Sequence, residues 1–260
     1  SLSDFTITAM DQSGGDHGSA VWQQQSEIEY TNIRFIGNKA ASLGTVLVYG
    51  VDVSAVAIFD QCYFKGNFAG TGAAINPHRA GHAIIKSSTF EGNVASGSGG
   101  AIYVNNGPSS TTISNSTFDN NSAADGGAIA IAAGSAASSI LNSTFSGNIA
   151  SNRGGAIRLS SSDHKISFST FYDNTATNNG GGIENDSGVS NILFASLVLD
   201  NSSPGNANIN AVTGELIDGG YNSIGANSVK DAAFNFALNS GSFTPVEAIT
   251  DVISPSLSNN

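Results

Sequence analysis

Positive charge is scarce in this chain: 9 Lys and Arg stand against 20 Asp and Glu in 260 residues, a net charge of −11 with a pI near 4.4. That balance argues against a nucleic-acid partner, whose phosphates need a basic surface, and equally against docking on anionic lipid. Cysteine is reduced to Cys62, so no internal disulfide can form. No apolar run approaches the ~18 residues of a membrane-spanning helix, so insertion of this chain into a membrane is not expected. The first residues, Ser1-Leu2-Ser3-Asp4, carry neither initiator Met nor a basic, signal-like segment, as a processed or excised chain would. Charge of either sign is rare, at 11 % of residues, roughly half the usual share.

Small neutral residues fill that gap. Gly alone accounts for 31 positions while apolar residues still reach 40 %, enough for a folded core and too many for a disordered chain. Such a composition directs attention to internal repeats. A Phe followed three residues later by Asn recurs at Phe35/Asn38, Phe64/Asn67, Phe90/Asn93, Phe118/Asn121, Phe145/Asn148 and Phe171/Asn174, with Leu197/Asp200 as a degenerate seventh copy. Successive spacings are 29, 26, 28, 27, 26 and 26 residues. Ser-Thr-Phe begins at Ser88, Ser116, Ser143 and Ser169, and Gly-Gly-Ala-Ile at Gly99, Gly126 and Gly154, with variants at Gly72 and Gly180.

The positions around each Phe imply a solenoid of strands. Five residues earlier stand Tyr30, Phe59, Ile85, Ile113, Ile140, Ile166 and Ile192, all large and apolar. A single strand alternates strictly, so inward positions at −5 and 0 conflict in parity. A bend between them resolves the conflict and gives two short strands. With the Gly-Gly-Ala-Ile strand, that makes three strands per coil and a parallel β-helix of about 7–9 coils of ~27 residues. Equivalent residues then stack along the axis, the Phe ladder ending in Leu197 and the Ile ladder in Ile192. The Asn side chains sit at a turn, where they can bond one another and the backbone. The lack of a 3.6-residue stripe excludes a helical solenoid.

One domain, 1–260, is expected. Residues 1–30 form an atypical first coil, 31–225 the regular coils, and 226–260, with Phe234, Phe236, Phe243, Pro245 and Pro255, a cap or strap. Ile224, 27 residues after Leu197, marks a further strand.

The pairing of Ser-Thr-Phe-x-x-Asn-x-Ala with Gly-Gly-Ala-Ile, as in 116–129 and 143–157, resembles the repeat of polymorphic outer membrane proteins and related bacterial secreted β-helix proteins. The Gly-Gly-Tyr-Asn-Ser-Ile-Gly segment at 219–225 is similar to the strand that closes the helix in many such relatives. The resemblance covers roughly 30–225. It implies a right-handed parallel β-helix, export from the cell, and a role in adhesion or surface display. It implies no catalytic site, because the shared residues are all scaffold.

Chemistry is expected on the outward side of the Gly-Gly-Ala-Ile strand, at Trp22/Gln24, Asn76/His78, Tyr103/Asn105, Ala130/Ala132, Arg158/Ser160 and Glu184/Asp186. The alanines leave a shallow dip between Tyr103 and Asn105 on one side and Arg158, Glu184 and Asp186 on the other. These five are the candidate binding residues. Tyr103 could stack on a sugar ring while the polar groups orient its hydroxyls; the simpler reading is an ordinary surface ion pair, Arg158 with Glu184. Glu184 and Asp186 could also be a glycosidase carboxylate pair, although no second acidic ladder flanks them and pectinase-type signatures are missing.

Other features read as structural. His78 and His82 would suit a metal on a helix, but Pro77 and Gly81 indicate a solvated loop. Asp16-His17 and His164-Lys165 read as isolated turn residues without partners. Thr89, Thr117, Thr144 and Thr170 form one outward column, bounded by Arg34, Tyr63 and Ser196, whereas an ice-binding face needs two; β-propensity explains it. Asn-x-Ser/Thr sequons at Asn115, Asn120, Asn142, Asn185 and Asn201 follow from the composition.

The chain is thus expected to be a non-catalytic, extracellular or cell-surface β-helix module, adhesin-like or structural, with glycan binding or self-assembly as its candidate activities. Its partners would be a glycan or protein of a host or cell surface, or its own copies. The alternative is a polysaccharide lyase or glycoside hydrolase using a groove on the same strand ladder. No catalytic residue, metal site or cofactor is assigned; calcium is conceivable, but the acidic residues are not at ligand spacing.

Overall fold

The computed structural model describes residues 1–12, 14, 18–105, 107–186, 189–205, 208–210, 215–218 and 221–224. The segment expected to cap or strap the helix, 226–260, lies outside the described residues, as do Asp16 and His17. Among the described residues every strand pairing is parallel, and the strands form three stacked sheets of a β-solenoid with about eight turns.

The nine-stranded sheet carries the Phe ladder, from Thr6–Thr8 to Ser223–Ile224. From Phe35 to Phe171 the rings stack nearly parallel with centroids 4.6–4.8 Å apart. That distance is the strand spacing itself, so the backbone ladder sets the ring geometry. The bend required by parity is present three residues before each Phe: Asn32, Gln61, Ser87, Asn115, Asn142 and Phe168 all have φ between 47° and 54°.

The largest sheet has two arms. One holds the Gly-Gly-Ala-Ile strands, among them Ile102–Val104, Ile129–Ile131, Ile157–Leu159 and Ile183–Asn185; the other holds the Tyr30–Phe59–Ile85–Ile113 row. They join where Val46–Asp60 and Ile75–Lys86 run unbroken through both. The third, seven-stranded sheet is not one of the segments singled out from the spacing. It is built on Ala40, Ala69, Ala95, Ala123, Ala150 and Ala176, two residues past each ladder Asn, all buried. Small side chains are what a two-residue strand against a tight turn can accommodate.

Polar ladders accompany the apolar ones. From Asn67 onward, each ladder Asn side chain accepts from the backbone N–H and amide of the Asn one coil earlier and donates to a carbonyl of the Phe ladder; Asn121 Oδ1, for instance, lies 3.0 Å from Asn93 N and 2.9 Å from Asn93 Nδ2. The Ser of Ser-Thr-Phe forms a second column: Ser88 N donates to Ser116 Oγ at 3.2 Å, and Ser116 N to Ser143 Oγ at 3.2 Å. Buried backbone that the strand bends leave unpaired is satisfied this way.

Four local expectations require correction. The seventh copy is shifted by one residue: Phe171 pairs with Val198 and Ile166 with Leu193, both fully buried, whereas Leu197 and Ile192 are each 37 % exposed. Asn201, not Asp200, continues the Asn ladder, and Ile224 stacks on Val198. Ile192-Leu193 and Leu197-Val198-Leu199 are apolar at adjacent positions, so apolar spacing alone could not choose the register. Residues 76–82 form strand rather than loop, because pairing with Val46–Asp60 overrides Pro77 and Gly81, and a register shift between Arg79 and Gly81 absorbs the mismatch. His164 is buried rather than partnerless: its Nδ1 accepts from Ser138 N at 3.0 Å and its Nε2 lies 2.7 Å from Ser161 Oγ. The Thr column ends on Leu197, not Ser196, which belongs to the buried Ser ladder. At the column's other end the Arg34 guanidinium lies 4.9 Å from the Tyr63 ring centroid, and the Tyr63 hydroxyl meets Glu91.

Candidate functional site

The outward side of the Gly-Gly-Ala-Ile arm is organised by the strands beneath it. Ile102, Ile129, Ile157 and Ile183 point inward in register, so Tyr103, Ala130, Arg158 and Glu184 stack in one outward row. The preceding turn adds a parallel row that the sequence reading missed, Ser98, Asp125, Arg153 and Asn179, immediately before the Gly pairs. Adjacency to a repeated motif was its only sequence signal.

Three of the five expected residues come together with two from that second row. Arg158 Nη1 lies 2.9 Å from Asp125 Oδ2, and its Nη2 lies 2.8 Å from Asp186 Oδ2. Asp125 belongs to the coil before Arg158 and Asp186 to the coil after, so one guanidinium bridges three coils. The expected Arg158–Glu184 pair is replaced: Glu184 is hydrogen bonded by Asn210 Nδ2 at 2.8 Å and faces Arg153 Nη1 at 3.9 Å. Direct neighbours in register have side chains of unequal reach, and Arg158 extends past Glu184 to Asp186, the residue just after that strand. Ser160 Oγ donates to Asp186 at 2.6 Å, and Asn152 Nδ2 to Asp125 at 2.8 Å. Tyr103 and Asn105 stay outside this network. Tyr103 feels Arg158 only through its charge, which lowers the hydroxyl pKa less than burial raises it; Asn105 N donates to Pro77 O.

The two carboxylates are driven apart electrostatically. Glu184 is only 3 % exposed, and burial pushes its pKa up to about 7 against the Asn210 hydrogen bond and the Arg153 charge. Burial acts on Asp186 in the same direction, but the Arg158 and Ser160 hydrogen bonds and both arginine charges outweigh it and hold the carboxyl below its usual range. Among the described residues, no group of three or more His, Cys, Asp or Glu is placed to hold a metal ion. Of the sequons, Asn115, Asn120 and Asn142 are exposed while Asn185 and Asn201 are buried.

Glu184 and the buried His164, whose pKa burial lowers to about 4, make opposing contributions to stability in the same pH range. Glu184 is raised from 4.5, so its stabilising contribution is complete below pH 4.5 and disappears as pH rises to about 7. His164 is lowered from 6.5, so its contribution is complete above pH 6.5 and disappears as pH falls to about 4. The wild type should therefore show a muted stability–pH profile between these limits. Glu184→Gln should leave a protein that loses stability on acidification, and His164→Asn one that gains it. Asn is suited to that position because Asn191 Oδ1 makes the equivalent bond one coil on, accepting from His164 N. Urea midpoints across pH 4–7.5 test both; parallel profiles for the three proteins would refute the opposition.

Four stretches, 87–105, 115–132, 142–160 and 168–186, match the Chlamydia polymorphic membrane protein (Chlamydia_PMP) repeat. Four coils of this chain carry that repeat. The comparisons with curated proteins and with solved structures returned no match. Each matched stretch begins at the left-handed bend before the Phe strand and ends on the outward side of the Gly-Gly-Ala-Ile arm. All five candidate residues lie inside matched stretches. At the equivalent outward position, however, the copies carry Tyr103, Ala130, Arg158 and Glu184 in turn. The repeat thus specifies the scaffold under the site and leaves its chemistry open.

Proposed function

We propose that this chain is a non-catalytic β-helix module of a secreted or cell-surface protein, adhesin-like or structural, presenting the outward rows of its Gly-Gly-Ala-Ile arm to a glycan, a protein or further copies of itself. The repeat supports this reading, being named for membrane proteins. The observation that carries it is the closure of the charged groups on one another: Arg158 is held by Asp125 and Asp186 from neighbouring coils. A nucleophile or base aimed at a substrate would instead be left open to it.

One observation favours a second reading. Glu184 is raised to about 7 beside an ionised Asp186, and both carboxylates approach the same Arg153 Nη1, at 3.9 and 3.5 Å. Two carboxyls with separated pKa values are the acid and base arrangement of a glycoside hydrolase. A glycan array followed by a product assay on each hit decides between the two. Binding without product supports the module. Product that disappears in Glu184→Gln establishes the hydrolase. A silent array shifts the module toward self-assembly, visible as concentration-dependent sedimentation.

A further inference from the structure

The outward face carries a second cluster, four to six coils from Glu184 toward the amino-terminal end, built from aromatic rings and a cation. Trp22, the single tryptophan of the chain, is 47 % exposed on Val21–Gln24. Its ring meets that of Tyr49 edge-on with centroids 6.4 Å apart. Tyr49 pairs in register with His78 on the next coil, and these rings stack at 5.2 Å with 22° between their planes. The exposed Arg79 lies beside them, its guanidinium 5.4 Å from the Tyr49 ring centroid. Arg79 is held at φ 60° at the register shift, where Ser109 Oγ donates to its carbonyl at 2.6 Å. The ion pairs found among the described residues involve Lys65, Arg153 and Arg158, so Arg79 contributes a cation that no described carboxylate neutralises.

We infer that Trp22, Tyr49, His78 and Arg79 form a binding site for an acidic saccharide, a sugar ring carrying a carboxylate. The inference rests on the reading of this face as a ligand surface and supplies the ligand class. An exposed indole offers the flat apolar surface on which the C–H face of a sugar ring packs. Arg79, braced against Tyr49 and therefore losing little freedom on binding, presents a planar fork matched to a carboxylate. His78 has its pKa lowered, by burial first and by the Arg79 charge second, which keeps it an uncharged hydrogen-bonding edge at neutral pH. A net charge of −11 repels a polyanion as a whole, so recognition is confined to the one carboxylate that Arg79 meets. A protein or lipid ligand is less well matched: a single exposed indole with one cation offers too little apolar area for either.

The uniqueness of Trp22 makes the test local, because any change in tryptophan fluorescence reports this site alone. The full chain is titrated with trigalacturonate and with its fully methyl-esterified form, which keeps the ring and removes the charge. The expected result is a saturable change in Trp22 emission with the acid, and affinity at least roughly tenfold weaker with the ester, the scale of one charge-assisted hydrogen bond. Calorimetry on Arg79→Gln should show the acid binding no better than the ester, and Trp22→Ala should bind neither. Unchanged thermal melts for both variants confirm that the coils remain folded. Equal affinity for acid and ester, or acid binding that leaves Trp22 emission and the Trp22→Ala titration unchanged, overturns the inference while the broader reading stands. Absence of binding to both saccharides also overturns it; the broader reading then still stands on the glycan array and, if that is silent, falls only if sedimentation shows no self-assembly either.

Discussion

Gly155→Ala is expected to destabilise the helix by roughly 3 kcal/mol or more, at or beyond the upper end of what overpacking costs. A Cβ placed on Gly155 would overlap the carbonyl oxygen of Gly181 and lie 2.7 Å from the backbone of Thr175, on the adjoining coil. Backbone cannot move aside as a flexible side chain can. Relief would require lifting one coil off the next, which breaks the bonds Gly155 N→Gly180 O and Ala156 N→Gly182 O, each 2.9–3.0 Å long. A Cβ on Gly127 or Gly100 would overlap the carbonyl of the next coil's glycine, Gly155 or Gly127, in the same way, so the constraint repeats along the axis. Solenoids unfold by neighbouring units, so the effect should concentrate near the substitution. Urea unfolding followed by hydrogen exchange should show lost protection first in the coils flanking 155. A midpoint within experimental error of wild type would mean that the coils are not packed this closely.

Asn121→Ala should cost about 3–5 kcal/mol, through unmade hydrogen bonds rather than a clash. Removing the side chain takes the acceptor from Asn93 N and Asn93 Nδ2, the donor from Phe90 O, and one of the two donors to Asn148 Oδ1, which keeps the Asn121 backbone N–H. A buried group left unsatisfied costs roughly 1–3 kcal/mol, and relaxation of the two neighbouring amides recovers part of the sum. Asn121→Asp should be no better, since the carboxylate restores the acceptor but not the donor and places charge in a column that is 0 % exposed. Exposed Asn120, one residue away, provides the control: its replacement by Gly, compatible with φ 54°, should change stability by less than 1 kcal/mol. If Asn121→Ala and Asn120→Gly shift the denaturation midpoint equally, the ladder is not what holds the turns.

Much of this architecture was legible because a solenoid repeats its instructions. Phe35 through Phe171 announce a stacking period, and the parity conflict between Ile113 and Phe118 demands the bend that Asn115 supplies with φ 51°. The ladder role of Asn121 followed from the same register. Legibility failed where one copy departs from the rest. At residues 192–199 consecutive apolar side chains left two registers open, and hydrogen bonding of Asn201 to Asn174 selects between them. At 76–82 the local signals of Pro77 and Gly81 gave way to pairing with Val46–Asp60, a strand remote in sequence.

The candidate site was half legible for a related reason. Strand alternation places Tyr103, Arg158, Glu184 and Asp186 outward, and that much needs only sequence. Which of them meet depends on side-chain reach across coils and on the neighbouring turn, so Asp125 and Arg153 entered, Tyr103 stayed apart, and Arg158 passed over Glu184 for Asp186. Burial is likewise a property of the assembled stack: it lifts Glu184 toward 7 and lowers His164 toward 4, and neither shift is written in the residue types. Sequence by itself determined the fold class, the period, the inward ladders and the outward rows, because each follows from local parity repeated every ~27 residues. Tertiary structure decided the register of the irregular copies, the partners of every charge and the protonation of the buried groups. Those depend on distances between residues a full coil apart, which local pattern does not encode.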